Sequence, residues 1–454
     1  MRVRADLAAM PGLAELLAEL GHWGDVGAEL DRVVPPLYVS APPNRELRRR
    51  FGITFEVAEV RRLLEFCWAN GRHVKGDLAG QRLRPDLWQV LYIVAPVFGW
   101  RQADGNRFFR EAFVEVPRKN GKALDPSTPV AVPSGWSTMG ELRAGDEVFD
   151  ERGEPCTVVA VADWPARPRF AVRFDDGEVV VADAAHEWPV TVWGHTSTVE
   201  TSRLAELVAG SGSPGIDVAG PLDTPPVLLP VDPYTLGVWL GDGHTDAGRV
   251  TCAEPEVWAG IAEGGWRIGE PPPTHPLTRT VFGLFAYLRQ LGVLGAKHIP
   301  ALYQRASIEQ RRALLAGIID TDGHVTPRGQ CEITLMNARL SDDVVELARG
   351  LGYKPRMTEA DAVLDGRVVG RRYRISFFPA AEDKLARVPR KLNAMRPEPP
   401  TRARSRRRHV IEVAPLPPGS TRCIEVDSPS HLFLAGRALV PTHNSTLSSV
   451  IALY

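Results

Sequence analysis

Cysteine is scarce in this chain of 454 residues: there are five, Cys67, Cys156, Cys252, Cys331 and Cys423, and no CxxC pair among them. Scattered and odd in number, they argue against a disulfide scaffold and a zinc site and fit a reducing cytoplasm. No run of about 18 apolar residues is present, so no membrane span is expected. Met1 to Trp23 mixes Leu and Ala with Asp6, Glu15 and Glu19. That pattern predicts an amphipathic helix and lacks the apolar core of a signal peptide. Excess charge is missing too. The net charge of −1 leaves nucleic-acid binding to local basic surfaces. What is present, 44% hydrophobic and 24% charged residues, suits a soluble globular protein of two to four domains.

The character of the chain changes several times. Residues 1–122 read as one unit, with helical patterning at Val57 to Trp68, an apolar stretch from Leu91 to Trp100, and a buried strand over Phe108 to Val116. From Ala123 to about residue 229, short β-branched runs alternate with turn signals: Thr128 to Val132, Glu147 to Phe149, Cys156 to Val161, Phe170 to Phe174 and Glu178 to Val181. That spacing predicts an all-β domain. Residues 230–395 mix helices and strands and contain a near-repeat, Thr235 to His244 against Leu315 to His324. A Pro- and Arg-rich link follows, and β patterning returns over 396–444, at Val410 to Val413, Cys423 to Val426 and His431 to Leu434. Ser445 to Tyr454 reads as the start of a helix. The β-rich pieces therefore flank a mixed domain, and all of this separates two ends of something else.

Joining Lys122 to Ser445 shows what was separated. The text becomes a strand, then Pro117-Arg118-Lys119-Asn120-Gly121-Lys122 running into Ser445-Thr446-Leu447, then a helix. Such a loop cradles phosphates with backbone N–H groups, its Lys reaches the β/γ-phosphates and its hydroxyl binds Mg²⁺. Uninterrupted, Gly121-Lys122-Ala123 lacks that hydroxyl. The candidate ATP/Mg²⁺ residues are Arg118, Lys119, Gly121, Lys122, Ser445 and Thr446. Val116 stands where the usual first Gly belongs. The joined segment resembles the ATPase of a phage terminase large subunit. The resemblance implies that Gln89 reads adenine and that the host is a truncated α/β P-loop ATPase fragment. Neither a strand ending in paired acidic residues nor a nuclease domain follows the loop.

The downstream junction, Pro441-Thr442-His443-Asn444-Ser445, carries its own chemistry. Asn444 can attack its own carbonyl, Ser445 can accept an acyl group and His443 can shuttle a proton. Ala123 to Val130, Asp183-Ala184-Ala185-His186 and Cys423 to Phe433 together resemble the sequence blocks of inteins, which implies a Hint (horseshoe) splicing domain. Ala123 has no nucleophile, so an inactive insert is one reading. However, Trp188, Cys423 and Thr442 resemble the signature of class 3 inteins, which bypass the first residue. That resemblance implies attack by Cys423 on the Lys122 carbonyl, with His186 protonating the leaving amide. Transfer to Ser445 and cyclisation of Asn444 would follow, without a cofactor. A thiolate is required, so neighbours should favour it, and Trp188 is expected to pack beside Cys423. Asp183 stands where inteins usually have Thr, which leaves the first oxyanion without an assigned stabiliser. His431 either orients the Asn444 step or serves as a core histidine.

Each near-repeat is an apolar helix with small residues on one face (Gly237 and Gly241; Ala316 and Gly317) that ends in an acidic residue and Gly. Packed side by side, the two helices would bring Asp242 and Asp322 together, and paired carboxylates bind divalent metals that activate water. The pair resembles the LAGLIDADG motif of homing endonucleases, implying an α+β nuclease inserted in the splicing domain. Its metal ligands would be Asp242 and Asp322, its cofactor Mg²⁺, and Lys297 would lie near the site. Asp320 would serve structure. Two motifs in one chain imply a monomer acting on an asymmetric double-stranded DNA target. Strands such as Arg371 to Ser376 would lie in the major groove. Arg402, Arg404, Arg406, Arg407 and Arg408 either contact phosphate or form a solvated linker. The competing reading of the whole chain is a DNA-packaging ATPase with a splicing-inactive insert.

Overall fold

The computed structural model describes residues 10–20, 45–70, 72, 82, 87–109, 123–210, 212–364, 366–380, 383–395 and 406–444. The chain forms two compact units, 1–117 with 448–454, and 118–447. Among the described residues no helix is long and apolar enough to cross a membrane.

In the first unit, helices Leu13–Leu20, Arg45–Phe51 and Val57–Asn70 precede a helical run from Leu87 to Gly99 that contains one π-helical turn, Val90–Val94. Leu13, Leu17, Val60, Val90 and Trp100 form its core. Gln89 lies within the helical run, at the end of Leu87–Gln89. Of the strand expected over Phe108 to Val116, Phe108 and Phe109 are in no strand, and 110–116 fall outside the described residues. The phosphate-loop residues Arg118, Lys119, Gly121, Lys122, Ser445 and Thr446 also fall outside them.

The second unit is organised by two long strands. Pro155–Phe174 pairs antiparallel with Arg407–Val426. The sequence suggested two short strands in each place. The turn-forming Pro and Gly residues between them instead bend one continuous strand, and the register shifts at four points along the pair. Around this ribbon the sheet runs Glu147–Phe149, Pro155–Phe174, Arg407–Val426, Gly215–Asp217, Glu187–Val192 and His195–Glu200, with Val179–Asp183 on the other side of Pro155–Phe174. A second sheet orders Val440–His443, Leu432–Ala435, Pro129–Val132 and Gly135–Thr138. Arg407 and Arg408 are therefore strand residues, not linker. Arg408 is fully buried against an equally buried Asp176, because a guanidinium taken out of water must find a carboxylate.

Within the mixed region, helices Pro233–Asp242 and Ile308–Asp322 pack side by side. Asp232 caps the first, and a Ser307–Gln310 capping box starts the second. The helices touch backbone to backbone. A Cβ on Gly237 would sit 2.1 Å from the Leu314 carbonyl oxygen, and one on Gly317 would sit 2.3 Å from that of Tyr234. Residues on both helices, including Leu236, Trp239, Leu315 and Ile318, bury apolar surface in one core. The second helix leads into a sheet ordered Gly323–Val325, Cys331–Leu335, Arg367–Phe377 and Arg356–Leu364.

Trp136 Nε1 donates to Glu346 at 2.8 Å, and Arg305 donates to the Gly135 carbonyl at 2.7 Å. These bonds fasten the mixed region to the β region inside this unit. Gly237→Val should destabilise the unit by about 3 kcal/mol, since two helix backbones would have to part. Differential scanning calorimetry of the full chain is the measurement, and an unchanged transition would contradict the close packing.

Candidate functional site

The start and the end of the β region meet in one place. Leu124 lies between two strands, exchanging hydrogen bonds with Arg422 (2.9 and 2.8 Å) and bridging to Ala182. The Asp183 N–H donates to the Ala123 carbonyl at 2.9 Å. Ala123 and Cys423 are thereby packed together, both buried, with Ala160, Ala162 and Trp164 around them. A side chain 300 positions downstream in the chain thus lies against the first residue of the β region.

The expected tryptophan is placed differently. Trp188 packs edge-on against His186 (4.8 Å between ring centroids) and Phe174, and its Nε1 donates to Thr201 at 2.9 Å. The indole packed against the Ala123–Cys423 pair is Trp164. Sequence reading missed it because Trp164 belongs to no motif, and only the pairing of the two long strands carries it there. Fully buried His186 hydrogen-bonds through Nε2 to fully buried Thr442. Trp188 thereby fixes the ring that holds Thr442.

At the other junction the Asn444 N–H donates to the His431 carbonyl at 2.9 Å, and its Nδ2 donates to the Val426 carbonyl at 3.1 Å. His431 has a positive φ of 57°, which turns its carbonyl to Asn444 while its side chain is exposed. The core-histidine reading is therefore corrected, and the atom of His431 bonded to Asn444 is its backbone carbonyl. His443 Nε2 lies 3.1 Å from Thr198 Oγ1.

The second candidate site lies where the two packed helices end. Asp242 and Asp322 are the last residues of those helices. Burial raises the pKa of both. For Asp322 burial, reinforced by the charge of Asp242, pushes it up to about 6. Two carboxylates forced to share a half-buried position favour a divalent cation, and two hard oxygen donors suit one. No cluster of three or more His, Cys, Asp or Glu side chains of metal-binding kind occurs among the described residues, so other ligands to such a cation would be water, backbone or a phosphate.

Lys297 is not a surface residue. Its Nζ donates to the carbonyls of Leu240 (3.0 Å) and Gly241 (2.8 Å) at the end of the first helix. Burial brings its pKa down to about 8 against the pull of Asp322 and Asp242. The second helix has a counterpart that sequence reading did not find. Lys391 Nζ donates to Ile319 (2.8 Å) and Asp320 (2.7 Å) carbonyls. Each lysine covers the negative end of one helix. An apolar–Pro pair flanks each, Ile299-Pro300 and Val388-Pro389. But Lys297 precedes its pair and Lys391 follows, so no repeat shows in the sequence. Asp320 accepts Tyr234 Oη (2.8 Å), Arg387 N (2.8 Å) and Val388 N (3.2 Å), and so holds the segment that carries Lys391.

The four-stranded sheet beside this site has one buried and one exposed face. Ile333, Ile375 and Met357 lie in register on the core side. Thr334, Arg374 and Thr358 lie in register on the other and are exposed. Strand alternation puts Arg372 with Arg374 and sends Arg371 to the opposite face, where it pairs with Glu359 at 3.6 Å. Only half of the Arg371 to Ser376 strand is thus presented on this face.

Comparison with known proteins bears on both sites. The homing endonuclease family model matches residues 298–396. A replicative DNA helicase DnaB of Mycobacterium intracellulare is 38% identical over 360 residues, 72% of this chain and 59% of the relative. The chain thus spans about three fifths of that relative's length. The homothallic switching endonuclease of Saccharomyces cerevisiae (strain ATCC 204508 / S288c) is 24% identical over 207 residues, 37% of this chain and 35% of that protein. A crystal structure of the MchDnaB-1 intein has 16% identity and a TM-score of 0.24, covering 71% of this chain and 98% of the other. The curated relatives include replicative helicases, and the terminase reading of the host is not supported by these matches. Taken together, the matches show a likeness to homing endonucleases over residues 298–396 and to a replicative helicase over 72% of the chain.

Proposed function

We propose that residues 123–444 excise themselves and join Lys122 to Ser445, and that the inserted domain cuts double-stranded DNA with a divalent metal. The observation that carries the splicing reading is the packing of Cys423 on Ala123. With no nucleophile at residue 123, the thiol lies against the residue whose amide it would release. His186, bonded to Thr442, serves the proton to the departing Ala123 amide. Ser445 then takes the upstream acyl group from Cys423. Asn444, held by His431 and Val426, cyclises and frees the insert, and an O-to-N shift leaves Lys122 joined to Ser445. Domain limits at 122/123, 229/230, 395/396 and 444/445 follow from this reading. The interrupted host is a P-loop ATPase that regains its ATP/Mg²⁺ loop on ligation. The relatives' names favour a DnaB-like replicative helicase as its type, although their matched share is about that of residues 123–444 alone.

In the nuclease, Asp242 and Asp322 would hold Mg²⁺, which supplies an activated water. Lys297 and Lys391 keep positive charge at the helix ends, where cleaved phosphate carries extra negative charge. The exposed Arg372, Arg374 and Thr334 face the bases, and one chain suffices for one asymmetric target. Such a protein would act in the cytoplasm.

Mass spectrometry of the expressed chain should find a free fragment 123–444 and a ligated host segment. Cys423→Ala should abolish upstream release, and His186→Ala should slow it by about a hundredfold. A persistent full-length parent chain would mean an inert insert. For the nuclease, Asp242→Ala or Asp322→Ala should each remove Mg²⁺-dependent cleavage of the uninterrupted host gene, so retained cutting by either variant rules out this metal site.

A stability measurement probes the same carboxylates. The folded-state pKa of Asp322 is raised to about 6 from the usual 3.8. Above pH 6 the folded chain carries an unfavourable charge, and stability recovers as pH falls through 6 toward 4. Asp322→Asn should therefore raise the thermal midpoint at pH 7.5 in chelator, with the gain fading as pH falls through 6. Mg²⁺ should raise the midpoint of the parent and not of the variant. Equal midpoints for the two at pH 7.5 would show that Asp322 is not held in this environment.

A further inference from the structure

On the splicing reading, the carbonyl oxygen of Lys122 becomes an oxyanion when Cys423 attacks, and that charge needs a partner. The carboxylate of the residue hydrogen-bonded to Ala123 works against it. Asp183 has a side chain only 1% exposed, and its backbone N–H already holds the Ala123 carbonyl. An unneutralised anion there would raise the energy of a second one.

The anion is met by Arg167, whose Nε donates to one Asp183 oxygen at 2.6 Å and whose Nη2 donates to the other at 3.3 Å. The Ala185 N–H adds a bond of 2.8 Å. The same guanidinium lies 5.8 Å from the ring centroid of Trp164, and Trp164 packs with Ala123 and Cys423. Arg167 is thus tied to the attack site twice, through Asp183 to Ala123 and through Trp164 to the Ala123–Cys423 pair. Five N–H donors allow a guanidinium to serve a carboxylate and a further oxygen together.

We propose that Arg167, oriented by Asp183 and Trp164, stabilises the oxyanion on the Lys122 carbonyl. In that step the Cys423 Sγ bonds the Lys122 carbonyl carbon and the bond from that carbon to the Ala123 nitrogen breaks. The thiol proton ends on the Ala123 amino group, so the negative charge on oxygen is transient. The inference rests on the splicing reading and adds to it the charge that the motif residues do not supply.

The test uses the full chain and follows two cleavages separately by mass spectrometry: dithiothreitol-induced release of residues 1–122, and release at Asn444. Arg167→Ala should slow the first by about a hundredfold and leave the second within threefold. Arg167→Lys, which keeps a charge but loses the fork, should recover part of the upstream rate. If Arg167→Ala leaves upstream release within threefold of the parent, or slows both cleavages alike, the residue is a structural ion pair and the proposal is wrong. If Cys423→Ala releases residues 1–122 as fast as the parent, the splicing reading fails and this proposal fails with it. That result is distinguishable, because it appears in a variant with Arg167 intact.

Discussion

The pairing of Pro155–Phe174 with Arg407–Val426 is the constraint on which the second unit depends. It closes a chain segment of more than 200 residues. Loop-closure entropy grows only logarithmically with length, so the inserted mixed domain adds little to that cost once it folds by itself. Everything at the first candidate site hangs on this ribbon. It carries Cys423 and Arg422 on one strand and Trp164 and Arg167 on the other, and Leu124 adds to its edge beside Arg422.

The two candidate sites solve opposite electrostatic problems. Around Ala123 and Cys423 the lining is alanine and indole, and the buried carboxylate Asp183 is matched at once by Arg167. At the helix ends the charge of one half-buried carboxylate opposes that of the other, and two lysines bond to backbone carbonyls rather than to them. The first arrangement suits chemistry that creates a charge from neutral groups. The second is poised to receive a cation and costs stability until one arrives. Burial on the scale of these domains can absorb that cost.

The β region also supports the domain it carries. Glu346 and Arg305 reach across to Trp136 and Gly135. Lys354 donates to Asp175 at 2.7 Å, and Arg311 holds the Leu222 carbonyl within the link between the regions. Arg311 is fully buried, and burial lowers its pKa to about 10. Buried cations of this kind are kept where their several N–H groups each find an oxygen.

Several features were legible before any coordinates. The junction Thr442-His443-Asn444 and the paired Gly–Asp helix ends are short-range patterns, and local chemistry specifies them. Asp242 and Asp322 could be paired because two helices with small residues on one face have few ways to pack. By contrast, the packing of Trp164 rather than Trp188 on the Ala123–Cys423 pair, the partnership of Arg167 with Asp183, the backbone bond from Asn444 to His431 and the existence of Lys391 as a second lysine needed the fold. Each depends on which residues a bent strand pair or a loop brings together across long stretches of chain. Strand register and bulges decide that, and neither is written in periodicity. The sequence by itself determined which chemical groups are available and in what order along the chain. The tertiary structure decided which of them touch, because contact between distant residues is a property of packing and not of composition.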